Sequence, residues 1–221
     1  MKDKNAERGI EVKGAKLFWR IQKTCMYRAV TPYLMYLIMS LIMLCCQLIP
    51  QPPLKYILSV LCLIGGMAYN AHLAYHYGEN HYGAYVAGCL HRQNALFGIE
   101  SGGDHRVERE YRVWKGFLIG FYVGLPVILL GVIAGSVPAL GTTGELILDM
   151  FAGWAIIPFQ WIRDSLAGGW VLYLAAFMSV IPVTVTGIFY IVGAMREKTK
   201  REEADARAER VKEIGKKNKK Q

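Results

Sequence analysis

The longest apolar runs of this sequence contain almost no charged residues. Four runs, at 32–49, 54–75, 117–137 and 168–194, hold no Asp, Glu or Arg, and Lys55 is their only lysine. Charged side chains inside a membrane usually mark substrate paths and proton relays, so their absence argues against a transport function. Each run also approaches the ~20 residues that a helix needs to cross a hydrocarbon core of ~30 Å.

The sequence also lacks the short motifs that would assign an enzyme class. It has no P-loop, no G-x-S-x-G, no H-E-x-x-H and no dinucleotide-binding fingerprint. Residues 202–207 match the E-E-x-x-x-R pattern of intramembrane CAAX-type proteases, but they lie in a hydrophilic tail and no histidine follows residue 105. We therefore interpret this match as a coincidence in a segment rich in Glu and Arg.

The cysteines are few and are not paired along the sequence. They number five and form no C-x-x-C motif. Three of them lie in apolar runs, where cysteine behaves as a small hydrophobic residue. The sequence therefore predicts no disulfide framework, with a Cys46–Cys62 bond between adjacent runs as the one alternative.

What the sequence does contain is a block pattern, in which long apolar runs lie between strongly charged ends and 53% of the residues are hydrophobic. This unevenness is typical of a multipass membrane protein. We predict an all-α integral membrane protein whose four transmembrane helices are the four runs. The domains are a basic amino-terminal segment (1–30), a four-span membrane domain (31–194) and a basic tail (195–221). The first segment is too long and too charged for a cleaved signal peptide, so the first span is predicted to be an uncleaved signal anchor.

The distribution of Lys and Arg orients the spans. The first thirty residues hold eight of them, the loop 78–116 holds five, and the tail from residue 195 holds eleven, whereas the other two connections hold only Lys55 and Arg163. The positive-inside rule then places both termini and the loop 78–116 in the cytoplasm, and the loop 138–167 outside. The charged ends and glycine-rich spans are typical of a bacterial cytoplasmic membrane protein.

The segment 146–164 is amphipathic and short. Apolar residues recur at helical spacing through Phe151, Trp154 and Trp161, and charged residues flank the run. A fifth span here would move the basic tail outside, against the charge rule. We predict an interfacial helix on the outer face, with both tryptophans at headgroup level. The alternative is a re-entrant helix, which would favour transport because backbone at membrane depth persists only where protein buries it or where it lines a cavity.

Glycines recur along one face of the third span. Gly116, Gly120 and Gly124 are spaced by four, and Gly131 and Gly135 follow on the same face. Such glycines let a neighbouring backbone approach closely, and in lipid this packing replaces the missing hydrophobic drive. We predict a helix-packing face, within the chain or between subunits. The alternative is a flexible gating helix.

Three of the five histidines are clustered at the end of the second span. His72 and His76 are four residues apart and share a helical face, so with His81 they form a candidate site for a transition metal. The sequence has too few histidines for the boxes of membrane di-iron desaturases, and the other spans contain none to pair with as haem ligands. The favoured interpretation is an aromatic boundary without a cofactor, where Gly78 and Gly83 loosen the helix. A proton- or pH-sensing role is a further alternative.

Two charged segments are predicted at the cytoplasmic surface. In the central loop, Asp104 is a good N-cap for a helix that would carry Trp114 at the interface and lead into the third span. The tail is predicted to continue the fourth span as a charged helix to about Ile214. A flexible polybasic end follows and is predicted to contact anionic lipid headgroups through Lys216, Lys217, Lys219 and Lys220. It has no interleaved aromatic residues to stack on bases, so no specific nucleic acid partner is expected.

These features favour a non-enzymatic scaffold or accessory subunit of a membrane complex, bound to a second copy of itself or to a partner membrane protein. A second hypothesis is a small transporter or channel lined by the glycine face and the 146–164 helix. A third is a metal-dependent membrane enzyme at the cytoplasmic interface, built on the three clustered histidines.

Overall fold

The computed structural model describes residues 14–96, 107–136, 141–160 and 177–218, and these residues form five α-helices, one short 3-10 helix and no strand. The helices are α1 (Ala15–Gln47), α2 (Pro52–Leu96), α3 (Val113–Ser136), α4 (Gly141–Gln160) and α5 (Val180–Asn218), and the 3-10 helix is Val107–Arg109. Of the five α-helices, α1, α2, α3 and α5 are long and apolar enough to cross a membrane. The predicted all-helical fold with four candidate spans is confirmed at this level.

The ends of α1 and α2 follow from local backbone chemistry. Gly14 precedes α1 with a φ of 74°, a left-handed conformation that glycine adopts without strain, and its carbonyl accepts from the N–H of Leu17 at 3.1 Å. After α1, two prolines restart the helix at Pro52, where the missing N–H costs nothing because the first turn has no acceptor for it. All five cysteines are free, so the alternative Cys46–Cys62 bond is absent.

Three helices are much longer than the predicted spans. At about 1.5 Å per residue, the 33 residues of α1, the 45 of α2 and the 39 of α5 extend roughly 50, 67 and 58 Å. A hydrocarbon core measures only ~30 Å. The prediction that the first helix opens at Pro32 is wrong, because Pro32 lies inside α1. Gly78 and Gly83 do not end α2, and Gly215 does not end α5.

Side-chain contacts give the relative directions of α1, α2 and α5. The Arg28 guanidinium lies 4.8 Å from the centre of the Tyr77 ring, and the Asn70 amide donates to the Tyr36 hydroxyl, so α1 and α2 are antiparallel. Asn70 also bonds Thr186, and further along the same two helices Glu79 pairs with Lys200, so α2 and α5 are parallel. We call the end of the bundle at which α1 begins and α5 leaves the basic end.

The third span runs against α5. Gly116 of α3 faces Tyr190, and Gly124 faces Ser179, so residue numbers fall along α5 as they rise along α3. The directions of α1, α2, α3 and α5 therefore alternate as in a four-span protein, and α5 begins at the end of the bundle where α3 ends. The fourth predicted span contains Pro182, at which a kink is expected. Residues 177–178 are helical, Ser179 is a turn and α5 starts at Val180, so the helix is interrupted three residues before this proline.

The segment before α3 is not the surface helix that Asp104 predicted, as far as the structure describes it. Residues 97–106 lie outside the described range, Val107–Arg109 is a single 3-10 turn, and residues 110–112 are not helical. The α-helix begins only at Val113. The prediction of a continuous helix into the third span is therefore wrong for residues 107–112.

Candidate functional site

A close contact between two helix backbones lies between α2 and α5. A side-chain carbon added to Gly78 would overlap the backbone carbonyl of Tyr190, and one added to Gly193 would overlap the carbonyl of Tyr75. The two backbones therefore touch at a pair of glycines, one contributed by each helix. Such an approach maximises van der Waals contact, which is the main attraction between helices in lipid.

The glycine face of α3 is directed at α5. A carbon added to Gly120 would lie 2.5 Å from the Pro182 carbonyl oxygen, and one added to Gly116 would lie 2.6 Å from the Cβ of Tyr190. Gly124 faces the side chain of Ser179 at 2.9 Å. Gly131 is buried, and the surroundings of Gly135 lie outside the described residues. The first three glycines thus lie at a contact within the chain, while a role for this face in assembly between subunits stays a prediction.

A cluster of neutral polar side chains lies inside the apolar part of the bundle. The Asn70 side-chain amide donates to the Tyr36 hydroxyl at 3.2 Å and to Thr186 Oγ1 at 3.0 Å. All three residues are at most 1% exposed. We call this group the Asn70 cluster. It ties α1, α2 and α5 together, and because a polar group left unpaired in such an environment is costly, its members depend on one another.

The helix α4 is broken where it reaches this cluster. Ala152 has non-helical angles (φ −131°, ψ 15°), and the backbone N–H of Trp154 donates to the Ser40 hydroxyl of α1 at 3.1 Å. Residues 152–157 are buried, and the Trp154 ring lies 4.6 Å from that of Tyr36. Ser40 therefore satisfies a backbone group near the break.

The tryptophans predicted at the interface are in different environments. Trp154 is 1% exposed and its indole contacts protein, while its predicted depth at headgroup level stays a prediction. Trp114 is 43% exposed at the start of α3, and its place at a membrane interface stays a prediction. Trp161 lies outside the described residues.

A second polar group lies at the basic end of the bundle. His81 is 2% exposed, and its Nδ1 lies 2.7 Å from the Tyr190 hydroxyl. Its Nε2 is buried and has no hydrogen-bond partner among the described residues. Tyr111 stacks on Tyr190 with ring centres 5.5 Å apart. Burial raises the pKa of the Tyr111 phenol, and the neighbouring Tyr82 acts in the same direction, so this stack remains uncharged at neutral pH.

Lys115, in the first turn of α3, lies buried beside this group. It is 1% exposed, and its ammonium donates to the Glu108 carbonyl at 2.7 Å and to the Glu110 carbonyl at 2.5 Å. A buried ammonium is costly unless it is hydrogen-bonded, so these two carbonyls stabilise it. In return the lysine fastens the 3-10 segment to α3. The lysine thus binds two carbonyls of the segment 107–112, which is not α-helical.

The three histidines predicted as a metal site are not brought together. His72 and His76 are exposed with ring centres 4.5 Å apart, whereas His81 is directed into the bundle. The His76 ring lies 3.2 Å from a carboxylate oxygen of Glu79. Within the described ranges no group of three His, Cys, Asp or Glu side chains could hold a metal. A zinc site takes at least three protein ligands, which is one more than the exposed pair offers.

Beyond the membrane-length part of the bundle, α5 continues as a charged helix. Glu79 of α2 pairs with Lys200 near the start of this extension, and Glu197 binds Arg201 at 2.8 Å. Residues 202–214 are all exposed. Lys216 is exposed at the end of α5, the side chain of Lys217 is not described, and Lys219 and Lys220 lie outside the described residues, so their lipid contact stays a prediction.

Sequence reasoning missed the polar residues that hold the bundle together. Asn70, Thr186 and Tyr190 are isolated polar positions in apolar runs, and each alone looks like an ordinary substitution in a span. What these residues share is a position deep in an apolar run, where a polar side chain must find a partner within the protein. The partner of each can be identified only when it is known which helices contact each other.

In comparisons with known proteins, no family model, curated protein or solved structure matches the chain.

Proposed function

We propose that the protein is a non-enzymatic scaffold or accessory subunit of a membrane complex. It crosses a bacterial cytoplasmic membrane four times with both termini in the cytoplasm. In this proposal the basic end of the bundle faces the cytoplasm, in accordance with the count of Lys and Arg on that side. The polybasic carboxyl end contacts anionic headgroups of the inner leaflet.

One observation carries the proposal. The same helix α5 that packs tightly inside the bundle continues as a fully exposed charged helix over residues 202–214. An isolated polar helix gains little from its own propensity, so a long one is useful mainly as a surface for another molecule. Because this extension is continuous with the packed part of α5, it presents that surface at a defined angle, and Glu79 pairs with Lys200 at its base.

The composition of the described interior also supports a structural role. Glycine–backbone contacts and mutually bonded polar side chains fill the contacts of α5 with α2 and α3. Groups arranged in this way hold helices in one position. They are typical of a rigid platform.

The proposal is tested by crosslinking intact membranes that contain the full-length protein at its natural level. We expect a homo-oligomer or a complex of fixed composition that persists after solubilisation in mild detergent. Recovery of the monomer alone after the same crosslinking and solubilisation would count against the scaffold.

A small transporter or channel is the second candidate, and the broken helix α4 favours it. The break at Ala152, the Trp154–Ser40 bond and the Asn70 cluster lie together in the apolar part of the bundle. Broken helices at membrane depth line the substrate sites of many transporters, and this placement supports the re-entrant interpretation of α4. Flux of ions or small solutes into proteoliposomes tests it: flux that Thr186→Val abolishes would favour transport, whereas tight vesicles would favour the scaffold.

A further inference from the structure

The amino-terminal part of α1 has an unusually apolar surface. Trp19 is 69% exposed, Met26 54% and Tyr27 67%. Residues on the other side of the same helix turns are packed in the core: Ile21 is 2% exposed, and Cys25 is 1% exposed. The segment is therefore anchored to the bundle on one side and presents large apolar groups on the other.

This surface continues directly into the apolar face of α1. At 100° per residue, Trp19, Met26 and Tyr27 share one side of the helix with Val30, Leu34, Ile38, Leu41 and Ile42, which are also exposed. From Trp19 to Ile42 the face is about 35 Å long, which exceeds the ~30 Å hydrocarbon core but not the ~40–45 Å total thickness of a bilayer. A face of this length extends from the hydrocarbon into the headgroup layer.

Basic residues are placed on the same face at its basic end. Lys16 and Lys23 are exposed, with Arg20 one turn from each, and the Lys23 ammonium lies 5.8 Å from the centre of the Tyr27 ring. Aromatic rings and long basic side chains together are suited to the headgroup region, because each combines an apolar body with a polar end.

The charged extension of α5 leaves the same end of the bundle and has a different surface. In the described part of that extension, Val211 and Ile214 are the exposed large hydrophobic residues after Met195, and charged residues occupy most other positions. A surface of that kind is suited to water. The contrast indicates that lipid, rather than water, covers the exposed face of α1.

We infer that Lys16, Arg20 and Lys23, together with Trp19 and Tyr27, form a binding site for the phosphate groups of anionic phospholipids in the leaflet at the basic end. The inference goes beyond the scaffold function, since it assigns a lipid ligand to α1 and requires no protein partner. The cations neutralise the phosphate charge, while the aromatic rings lie at the boundary between headgroup and acyl chain.

The test uses the full-length protein in nanodiscs of phosphatidylcholine with a minor fraction of phosphatidylglycerol. Native mass spectrometry measures how many molecules of each lipid remain bound. Lys16→Gln/Lys23→Gln removes two cations of the site, and Lys198→Gln/Lys212→Gln removes the same charge from exposed positions of α5 as a matched control. We expect the site variant to lose roughly tenfold in selectivity for phosphatidylglycerol, and the control to lose little. Equal loss in both variants, or no loss in the site variant, would overturn the inference.

A second measurement does not depend on charge. Fluorescence of the wild-type protein and of Trp19→Phe is recorded in nanodiscs whose lipids carry bromine close to the headgroup. The inference predicts that the quenched signal contains a contribution that Trp19→Phe removes. An identical quenched intensity in both proteins would show that the bromine does not quench Trp19, and it would overturn the site. Inorganic phosphate is added as the soluble source of the same chemistry, and displacement of phosphatidylglycerol by it would likewise contradict a lipid site.

Discussion

The two halves of α5 are one continuous helix, and they differ in nearly every contact they make. In the membrane half, from Val180 to Met195, one face is buried against α2 and α3, and the contacts are between backbones, glycines and neutral polar groups. In the charged half, from Arg196 to Asn218, Lys200 meets Glu79 and Arg201 approaches Gly83 near its beginning, and the side chains of residues 202–214 are all exposed.

This difference leads us to expect that the membrane half stabilises the bundle, while the charged half carries the recognition that we propose. Backbone contacts in the membrane half cannot relax, so a change there is expected to affect the whole bundle. The charged half has exposed ion pairs, which contribute little to stability because water and salt screen them. Substitutions in the membrane half should therefore lower the stability of the bundle much more than substitutions in the charged half. The following experiments test that order.

The largest effect is expected at the glycine crossing of α2 and α5. Gly78→Leu would force its side chain into the Tyr190 carbonyl, whereas Gly65→Leu on the same helix has no atom within 4 Å of the added carbon. We expect Gly78→Leu to abolish the recovery of folded protein and Gly65→Leu to leave it unchanged. Yield of monodisperse protein in detergent and the Tm report both. Similar yields for the two variants would show that the close contact at Gly78 is not needed for folding.

A smaller loss of thermal stability is expected for substitutions at the contact of α3 with α5. A carbon added to Gly120 would lie 2.5 Å from the backbone carbonyl oxygen of Pro182, whereas one added to Gly124 would lie 2.9 Å from the Cβ of Ser179 and 3.1 Å from its carbonyl oxygen. Gly120→Leu should therefore lower the Tm more than Gly124→Leu, and the double variant should assemble poorly. The comparison is made by thermal unfolding in detergent, and wild-type behaviour of the double variant would contradict the packing role.

Next in size is the Asn70 cluster. Thr186→Val removes a hydroxyl bonded to Asn70, while Thr184→Val removes an exposed hydroxyl that bonds only carbonyls of its own helix. Buried side-chain hydrogen bonds in membrane proteins contribute about 0.6 kcal/mol on average and up to roughly 1.7 kcal/mol. We expect Thr186→Val to lower the free energy of unfolding by about that amount and Thr184→Val to change it little. Equal effects would show that burial of the hydroxyl is not what matters.

The smallest effect on stability is expected in the charged half. Arg207→Gln removes a side chain that is 80% exposed and lies 3.6 Å from Glu203. No measurable change in Tm is expected, because the pair is fully solvated. A Tm loss comparable to that of Thr186→Val would mean that the charged half packs against the bundle, and the separation of roles would be wrong.

The sequence alone predicts the number of spans well because hydropathy reports directly on the lipid core. It does not predict helix ends, since α1, α2 and α5 continue past that core as helices that hydropathy does not detect. Gly78 illustrates the reason. A glycine in a helix costs only about 1 kcal/mol relative to alanine, and the close contact with α5 offsets this, so α2 continues where the sequence suggested a loose end.

The candidate site was less predictable for a different reason. Lys115 was counted as one more cytoplasmic charge, yet it is buried and binds two carbonyls of its own segment. Trp154 was placed among headgroups on its residue type, yet it packs on Tyr36. The position of Trp154 depends on a helix distant in sequence, and a single sequence contains no signal for that pairing. The position of Lys115 depends on a local non-helical turn, which the helical spacing of the loop did not predict.

The central claim is that the charged half of α5 is a docking surface held by a bundle that packs through its membrane half. It is tested most directly by placing a photoreactive residue at each of the positions 207–210 in turn, which together face all sides of the helix, and irradiating intact membranes. Ile188, which is exposed on the membrane half, is the control position. The account predicts a discrete protein adduct from at least one position in 207–210 and none from position 188. Monomer alone from all four positions, or an adduct from position 188 alone, would contradict it.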